Sequence, residues 1–435
     1  MSSRELPVIS LFSGALGLDL GLEKAGFRLR AAVECNKFAA ETIRRNRPDV
    51  TLIERRLEEV STEELLEAAG LRPGEPAVVS AGPSCQAFST AGQRGSMGDP
   101  RGIMFREFIR VVREARPRFF VMENVRGVLS AAVRHRPLKL RGPGHPPLAA
   151  DERLGSAFVE IVKELQSTSY FCVFDLLNAA DFGVPQTRER VLFLGARDGE
   201  PVRSPSRTHS RTPDNGEMPW VTLKDALRSL EDLEPEFKCL SPMKAKLLAL
   251  VPEGGNWRSL PREVQAEALG GAYTSWGGRT GFFRRLSWDS PAPALTTRPD
   301  SKATMLAHPQ DLRPLSVSEY AAIQQFPPGW EVAGGVSQKY MQLGNAVPVG
   351  LGEAVALALR EAMHACRRPR LKGRVVCADT QLLKRLAERP TTILNPNRMR
   401  AVKGLDAARK WLAGTTRASV LDLVEEYPHS HGEGA

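Results

Sequence analysis

A cysteine, a carboxylate and two guanidiniums, each set just beyond a short apolar run, are the residues of this chain best placed to do chemistry. Cys85 stands in Ala81-Gly82-Pro83-Ser84-Cys85-Gln86-Ala87-Phe88-Ser89. Glu123-Asn124-Val125 comes later, and Gln186-Thr187-Arg188-Glu189-Arg190 later still. A free cysteine is ordinarily a small buried hydrophobe; it becomes a nucleophile only as the thiolate, which nearby positive charge favours. Glu123 read alone is a strand cap, and Arg188 and Arg190 read alone are a solvated pair. Read together, the set describes a nucleophile with its acid and its electrostatic support.

The elements that must position these residues are legible around them. Val8 to Phe12 is an apolar run that enters the glycine-bearing turn Phe12-Ser13-Gly14-Ala15-Leu16-Gly17-Leu18 and then a helical pattern through Leu22. Ala31 to Val33 ends in Glu34, Ala77 to Ser80 leads to the Cys85 loop, and Phe119 to Met122 leads to Glu123. Phe171 to Leu177 and Val191 to Leu194 are further strands. Short buried strands alternating with helices predict a doubly wound α/β sheet, in which ligands sit beyond the carboxyl ends of the strands. The glycines let a ligand approach the backbone at a helix N-terminus, and Glu34 stands where a carboxylate binds a ribose hydroxyl pair. No lysine follows the glycines, unlike a P-loop.

From about 198 to 284 the pattern breaks. Arg203 to Pro219 is rich in Pro, Ser, Thr and Arg, and the residues beyond it are punctuated by Gly254-Gly255, Gly270-Gly271 and Gly277-Gly278, as in a separate, loop-dominated domain. Regular structure resumes with Leu312 to Gln325, a Pro-Pro-Gly turn, and a helix from Val349 to about Ala365. A basic segment, two helices and a His/Gly-rich end fill 366–435.

The 435 residues suggest two or three domains. No run of about 18 apolar residues and no signal-peptide pattern is read, so a cytoplasmic protein without a membrane span is expected. Six scattered cysteines without CxxC pairs predict neither disulfides nor a metal site. The net charge of +10 is the footprint expected of a phosphate-backbone partner.

These motifs, in this order, make residues 7–365 resemble the DNA cytosine-5 methyltransferase family. The match comprises the Phe-Ser-Gly loop, Glu34, the Cys85 loop, Glu-Asn-Val, Gln186 to Arg190, the stretch Arg285 to Arg298 and Gly344-Asn345-Ala346-Val347-Pro348. The resemblance implies a Rossmann-like methyltransferase sheet in 1–197, an irregular target-recognition domain in 198–310 and a return segment in 311–365. A short helical extension, 366–435, lies outside it. It implies that Cys85 adds to C6 of a cytosine flipped out of double-stranded DNA. Glu123 then meets N3 and the amino edge through a carboxyl group kept partly protonated by a closed pocket, and Arg188 and Arg190 hold the base carbonyl and orient Glu123. S-adenosylmethionine is the implied cofactor, with Phe12, Ser13, Gly14, Gly17, Leu18, Glu34, Cys35, Asn345 and Ala346 around it. Gln86, Ser89, Arg94, Arg101, Asn124 and Gln186 are the implied substrate-binding residues, the glycine-rich loop from Gln86 to Gly102 serving as a lid. A monomer is expected; pairing with a restriction nuclease, another phage-defence role and an orphan regulatory role all stand open.

The match departs from the family in places. Ser84 replaces the usual proline before the nucleophile, Leu18 stands where a second glycine is common, and Arg56, between Glu54 and Glu58, aligns where an acid meets the adenine. Residues 131–151 form a basic insertion that reads equally as an extra DNA contact or a solvated loop. Arg203, Arg207, Arg211, Arg258, Trp276, Arg279 and Arg284 are candidates for reading DNA. Methylation of RNA, or silent DNA binding on the same scaffold, stand as the alternatives.

Overall fold

Runs of Val, Ile, Ala and Phe bounded by Gly, Pro or Asn become short buried strands, because both of their faces can be covered by helices. The structure, a computed structural model, describes residues 5–83, 100–137, 140–141, 145–214, 216–228, 230, 234–274, 281–388 and 424–426. Among these residues the strands are β1 (Pro7–Leu11), β2 (Arg28–Val33), β3 (Thr51–Ile53), β4 (Val78–Ala81), β5 (Phe119–Val125), β6 (Phe171–Asn178), β7 (Gln186–Thr187), β8 (Glu189–Ala196), β9 (His209–Ser210), β10 (Met218–Pro219), β11 (Ala292–Pro293), β12 (Val375–Cys377) and β13 (Glu425–Glu426).

Nine of them form one sheet in the order β13-β12-β6-β8-β5-β4-β1-β2-β3. All neighbours are parallel except β8, which runs antiparallel to both β5 and β6. The strand alternation divides the core into two layers. Ile9, Leu11 and Val79 face one set of buried side chains, and Val8 and Val78 face the other.

Two helices define the second layer, Gly17–Lys24 and Val349–His364, and they meet at their glycines. A Cβ at Gly21 would lie 2.4 Å from the Glu353 backbone nitrogen, and one at Gly352 would lie 2.8 Å from the Leu18 carbonyl oxygen. Only glycine allows that approach, which locks the first helix of the chain to its return segment. Together with Val336–Asn345, the helix Val349–His364 makes a stretch apolar enough to cross a membrane by composition. It packs into the fold, 67% of its apolar 18-residue window being buried, and it is broken at Ala346-Val347-Pro348.

The segment after β8 is irregular, as expected, but has its own small core. Leu247, Leu248, Val251, Leu260, Leu269, Phe283 and Met305 pack together beneath the helices Pro242–Ala249 and Arg262–Leu269. The C-terminal extension holds a helix, Thr380–Glu388, yet it is not only helical. Val375-Val376-Cys377 adds β12 in parallel to β6, and β13 adds to β12. This three-residue apolar run is too short to stand out in sequence, and the open edge of β6 recruits it.

Candidate active site

Glu123 and Arg190 come together because β5 and β8 pair antiparallel. The register sets Glu123 opposite Leu192 and Val125 opposite Arg190, so the two charged side chains are diagonal neighbours. Arg190 Nε lies 2.5 Å from Glu123 Oε1, as an ion pair lacking the in-line geometry of a hydrogen bond, while Arg190 Nη1 donates to the Glu189 carbonyl at 2.8 Å. Both side chains are nearly buried, where such a pair is weakly screened. Glu123 sits at the carboxyl end of β5, beside the residues that follow β4: a Cβ at Gly82 would stand 3.7 Å from Glu123 Oε2. The loop carrying the nucleophile candidate therefore begins against this carboxylate. Cys85, Gln86, Ser89, Arg94 and the Arg101 side chain lie outside the described residues.

The structure does not bring Arg188 to that pair. Arg188 is 1% exposed, at the junction where the chain leaves β7, which pairs with β11, and enters β8. Its Nη1 donates to the Leu295 carbonyl at 3.2 Å and to Gln186 Oε1 at 3.3 Å, and its Nη2 to the Gly344 carbonyl at 2.8 Å. Gln186, read as a substrate residue, is also fully buried: its amide donates to Gln324 Oε1 at 2.9 Å and its Oε1 accepts from the Leu295 backbone at 2.9 Å. Gln324 in turn donates to the carbonyls of Leu343 and Ala346. These polar groups form a seam joining β7 to the stretches around Leu295 and Gly344. Asn124 is buried too, and its side chain accepts from the Val125 N–H.

The glycine loop and Glu34 do come together. Glu34 follows β2, and its carboxylate accepts the Gly14 N–H at 2.8 Å and the Asn36 N–H at 2.7 Å. Burial pushes its pKa up, opposed by those backbone donors. Phe12, Gly14 and Leu16 all have positive φ, a clustering that belongs to functional loops. The space beside Gly14 is open, with nothing within 4 Å of where a Cβ would sit. Cys35 and Asn345 are exposed near this loop. Gly17 has a different job, because a Cβ there would be 2.1 Å from the Val347 carbonyl oxygen and 3.5 Å from Ala346 Cβ. Leu18 faces the core.

One buried group of this region was missed in sequence. Asp19, 3% exposed, accepts from Ser10 Oγ on β1 at 2.7 Å and from Ser80 Oγ on β4 at 2.6 Å. The signal was present: an acid within the apolar helix start Gly17-Leu18-Asp19-Leu20, and a serine interrupting each of two apolar strands.

Of the departures, Arg56 is exposed and pairs with Glu58 at 3.2 Å, while Glu54 is taken by Arg44. Among its described residues, the arginines of the insertion are engaged locally. Arg134 pairs with Asp151 and Glu152, Arg136 with Glu152, and Arg141 is buried with its Nε on the Arg136 carbonyl. Among the DNA-reading candidates, Arg207 pairs with Asp181 at 3.5 Å, Arg258 lies over the Trp257 ring, Arg203 and Arg211 are exposed, and burial depresses the Arg284 pKa. Trp276 and Arg279 lie outside the described residues. No cluster of three His, Cys, Asp or Glu suited to a metal occurs among the described residues.

The profile of the C-5 cytosine-specific DNA methylases matches residues 6–361. The chain belongs to that family. As a C-5 cytosine-specific DNA methylase, it methylates C5 of cytosine in DNA. It is 35% identical to the type II methyltransferase M.Sau96I of Staphylococcus aureus over 361 residues, 82% of this chain and 76% of that relative. It is 36% identical to the type II methyltransferase M.Eco47II of Escherichia coli over 366 residues, 82% of this chain and 79% of that one. In fold, the methylase chain resembles a DNA modification methyltransferase encoded within a prophage of E. coli, with a TM-score of 0.55 at 22% identity, covering 82% and 99% of the two chains. It also resembles the Entamoeba histolytica methyltransferase EhMeth, with a TM-score of 0.53 at 14% identity, covering 83% and 99%.

Proposed function

We propose that this methylase modifies cytosine within one short sequence of double-stranded DNA, using Cys85 as nucleophile and S-adenosylmethionine as methyl donor. The observation that carries the proposal is the Glu123–Arg190 ion pair beside Gly82, at the head of the Cys85 loop and at the carboxyl ends of β4 and β5. A base must leave the stack to reach such a site. The Cys85 thiolate then adds to C6, and the displaced electron pair enriches the ring at C5 and N3. Glu123 shares a proton with N3, and Arg190 holds Glu123 in place and offers its remaining N–H groups to the base carbonyl. After methylation, loss of the C5 proton and expulsion of the Cys85 thiolate restore the aromatic ring. Arg188 acts through the seam, as a positioning residue.

The donor set at the glycine loop fits the cofactor: a buried carboxylate at the end of β2 for a ribose, and open space beside Gly14. Phe12, Ser13, Gly14, Glu34, Cys35 and Asn345 are the residues we assign to holding it, with Gly17, Leu18 and Ala346 shaping the support behind them. When bound there, S-adenosylmethionine supplies an electrophilic methyl group.

We divide the chain into a catalytic part, 1–197, a target-recognition part, 198–310, a return segment, 311–365, and an extension, 366–435. We take it to work as a cytoplasmic monomer, since an asymmetric target-reading part needs no second copy. The type II relatives support a place in a restriction-modification system. Bisulfite sequencing of DNA from a methylation-free host tests the reading: the wild type should protect cytosines in one context, and Cys85→Ser should protect none. Soluble wild type that binds DNA and protects nothing overturns it, and protection in host RNA instead would assign an RNA substrate.

A further inference from the structure

Residues 366–435, beyond the family match, carry fourteen Lys and Arg against seven Asp and Glu, so they hold seven of the ten excess positive charges of the chain. The part nearest the match is fixed in place. The Arg368 N–H donates to the Gly199 carbonyl, Gly373 N–H to Tyr170, and β12 then joins the sheet. Residues 367–374 are thereby held at the amino-terminal end of β5, β6 and β12.

The surroundings of that end are also basic. Arg197 donates to the carbonyls of Gly74 and Arg116, and Arg116 is exposed. Two acids at this end are already engaged: Asp198 by Arg197 and Arg367, and the buried Glu200 by Arg118 and Arg367. Asp198 is held below the usual carboxylate range by Arg197 first, then by Arg367 and Lys372. Arg368, Arg370 and Lys372 are exposed and form no ion pair among the described residues. A concentration of exposed positive charge with spent counter-charges fits a polyanion spaced like a phosphate backbone.

We infer that this end of the sheet is a second, sequence-independent DNA contact, which takes the phosphates of a duplex segment other than the one in the cleft. β5 sets Arg118 and Glu123 at opposite ends, roughly 15–20 Å apart along the strand at about 3.3 Å per residue. Glu123 and the segment carrying Arg368 and Arg370 thus lie at opposite ends of the strands, and we assign them different stretches of a long molecule. The contact would keep the enzyme on long DNA between encounters with target sites.

The test uses the full chain with R368E/R370E/K372E, side chains that make no ion pair the described fold depends on. Binding to a long duplex of dA and dT only, followed against salt, should weaken at least tenfold at low salt. The slope of log K against log salt should shrink by about 2–3, since each phosphate contact contributes about 0.9. Methylation of a short duplex that fits only the cleft should keep its kcat/KM within about twofold, whereas wild type should show a higher kcat/KM on plasmid-length substrate that the variant lacks. Unchanged slope and affinity in a folded variant overturn the inference, as does equal loss on short and long substrates. Preferential displacement of the long duplex by structured RNA would assign the surface to RNA and overturn it too. Because a duplex without cytosine cannot be methylated, this result stands apart from that of Cys85→Ser.

Discussion

Ser10 and Ser80 are register partners across the parallel pair β1 and β4, and one carboxylate, Asp19, takes both of their hydroxyls. The arrangement ties the strand that ends in the glycine loop to the strand that ends in the Cys85 loop. Burial pushes the Asp19 pKa up to about 6, against the lowering effect of the two serines.

The raised Asp19 pKa has a stability consequence with a definite sign. A carboxyl group whose folded pKa exceeds its unfolded value of 3.8 binds its proton more tightly when folded. Its contribution is complete below about pH 4 and declines as pH rises through about 6. Asp19→Asn cannot ionise, so relative to the wild type it should gain about 1–1.5 kcal/mol between pH 5 and 7.5, a tenfold change in proton affinity being worth about 1.36 kcal/mol. Urea denaturation of both proteins at the two pH values checks this. A constant difference would mean that Asp19 titrates as an ordinary carboxylate.

Glu123→Gln removes the proton-sharing group while keeping its size. The expected loss in kcat is about 10²–10⁴, the range for a general acid or base, and because the nearly buried Arg190 loses its counter-charge, a lower Tm is expected beside it. Arg190→Lys replaces a fixed fork with a point charge and should lower kcat with a smaller change in DNA affinity. Single-turnover methyl transfer beside binding to the same duplex separates the two effects.

Arg188→Met should behave differently. It strips the carbonyls of Leu295 and Gly344 and the Gln186 amide oxygen of a buried donor, at about 1–3 kcal/mol for each buried acceptor left unsatisfied. The predicted signature is a lower Tm and easier proteolysis between 198 and 310. A variant that keeps its Tm and loses only kcat would return Arg188 to the base site.

Gly21→Ala and Gly14→Ala make a paired test of two kinds of glycine. The first drives a Cβ into the backbone at Glu353 and Gly352 and should cost at least about 2 kcal/mol, as overpacking does. The second meets no atom, and its cost is the left-handed φ of +53°, about 1 kcal/mol. The weaker-folding variant should nonetheless be the better cofactor binder, read by calorimetric titration with S-adenosylmethionine. Equal effects on stability would remove the distinction.

Local pattern alone determined much of this protein. Apolar runs such as Val8 to Phe12 and Phe119 to Met122, closed by Gly or by a lone acid, are enough to predict a doubly wound sheet with its chemistry at the strand ends. The reason is short-range physics: a strand buried on both faces must be apolar, and a charge can appear only where it ends. The motif order from Phe12 to Pro348 was legible for the same reason. Tertiary structure decided which of two similar residues does which work. Arg188 and Arg190 are two positions apart, yet antiparallel pairing with β5 sends Arg190 to Glu123 while the β7–β11 junction buries Arg188 in the seam. Gly14 and Gly17 differ likewise, since only the approach of Val347, more than 300 residues away in sequence, makes a side chain at 17 impossible. Asp19 acquires its partners only when β1 and β4 lie side by side, and Val375-Val376-Cys377 becomes a strand only because β6 presents an open edge. Each of these outcomes depends on contacts between distant segments, which no local spacing encodes.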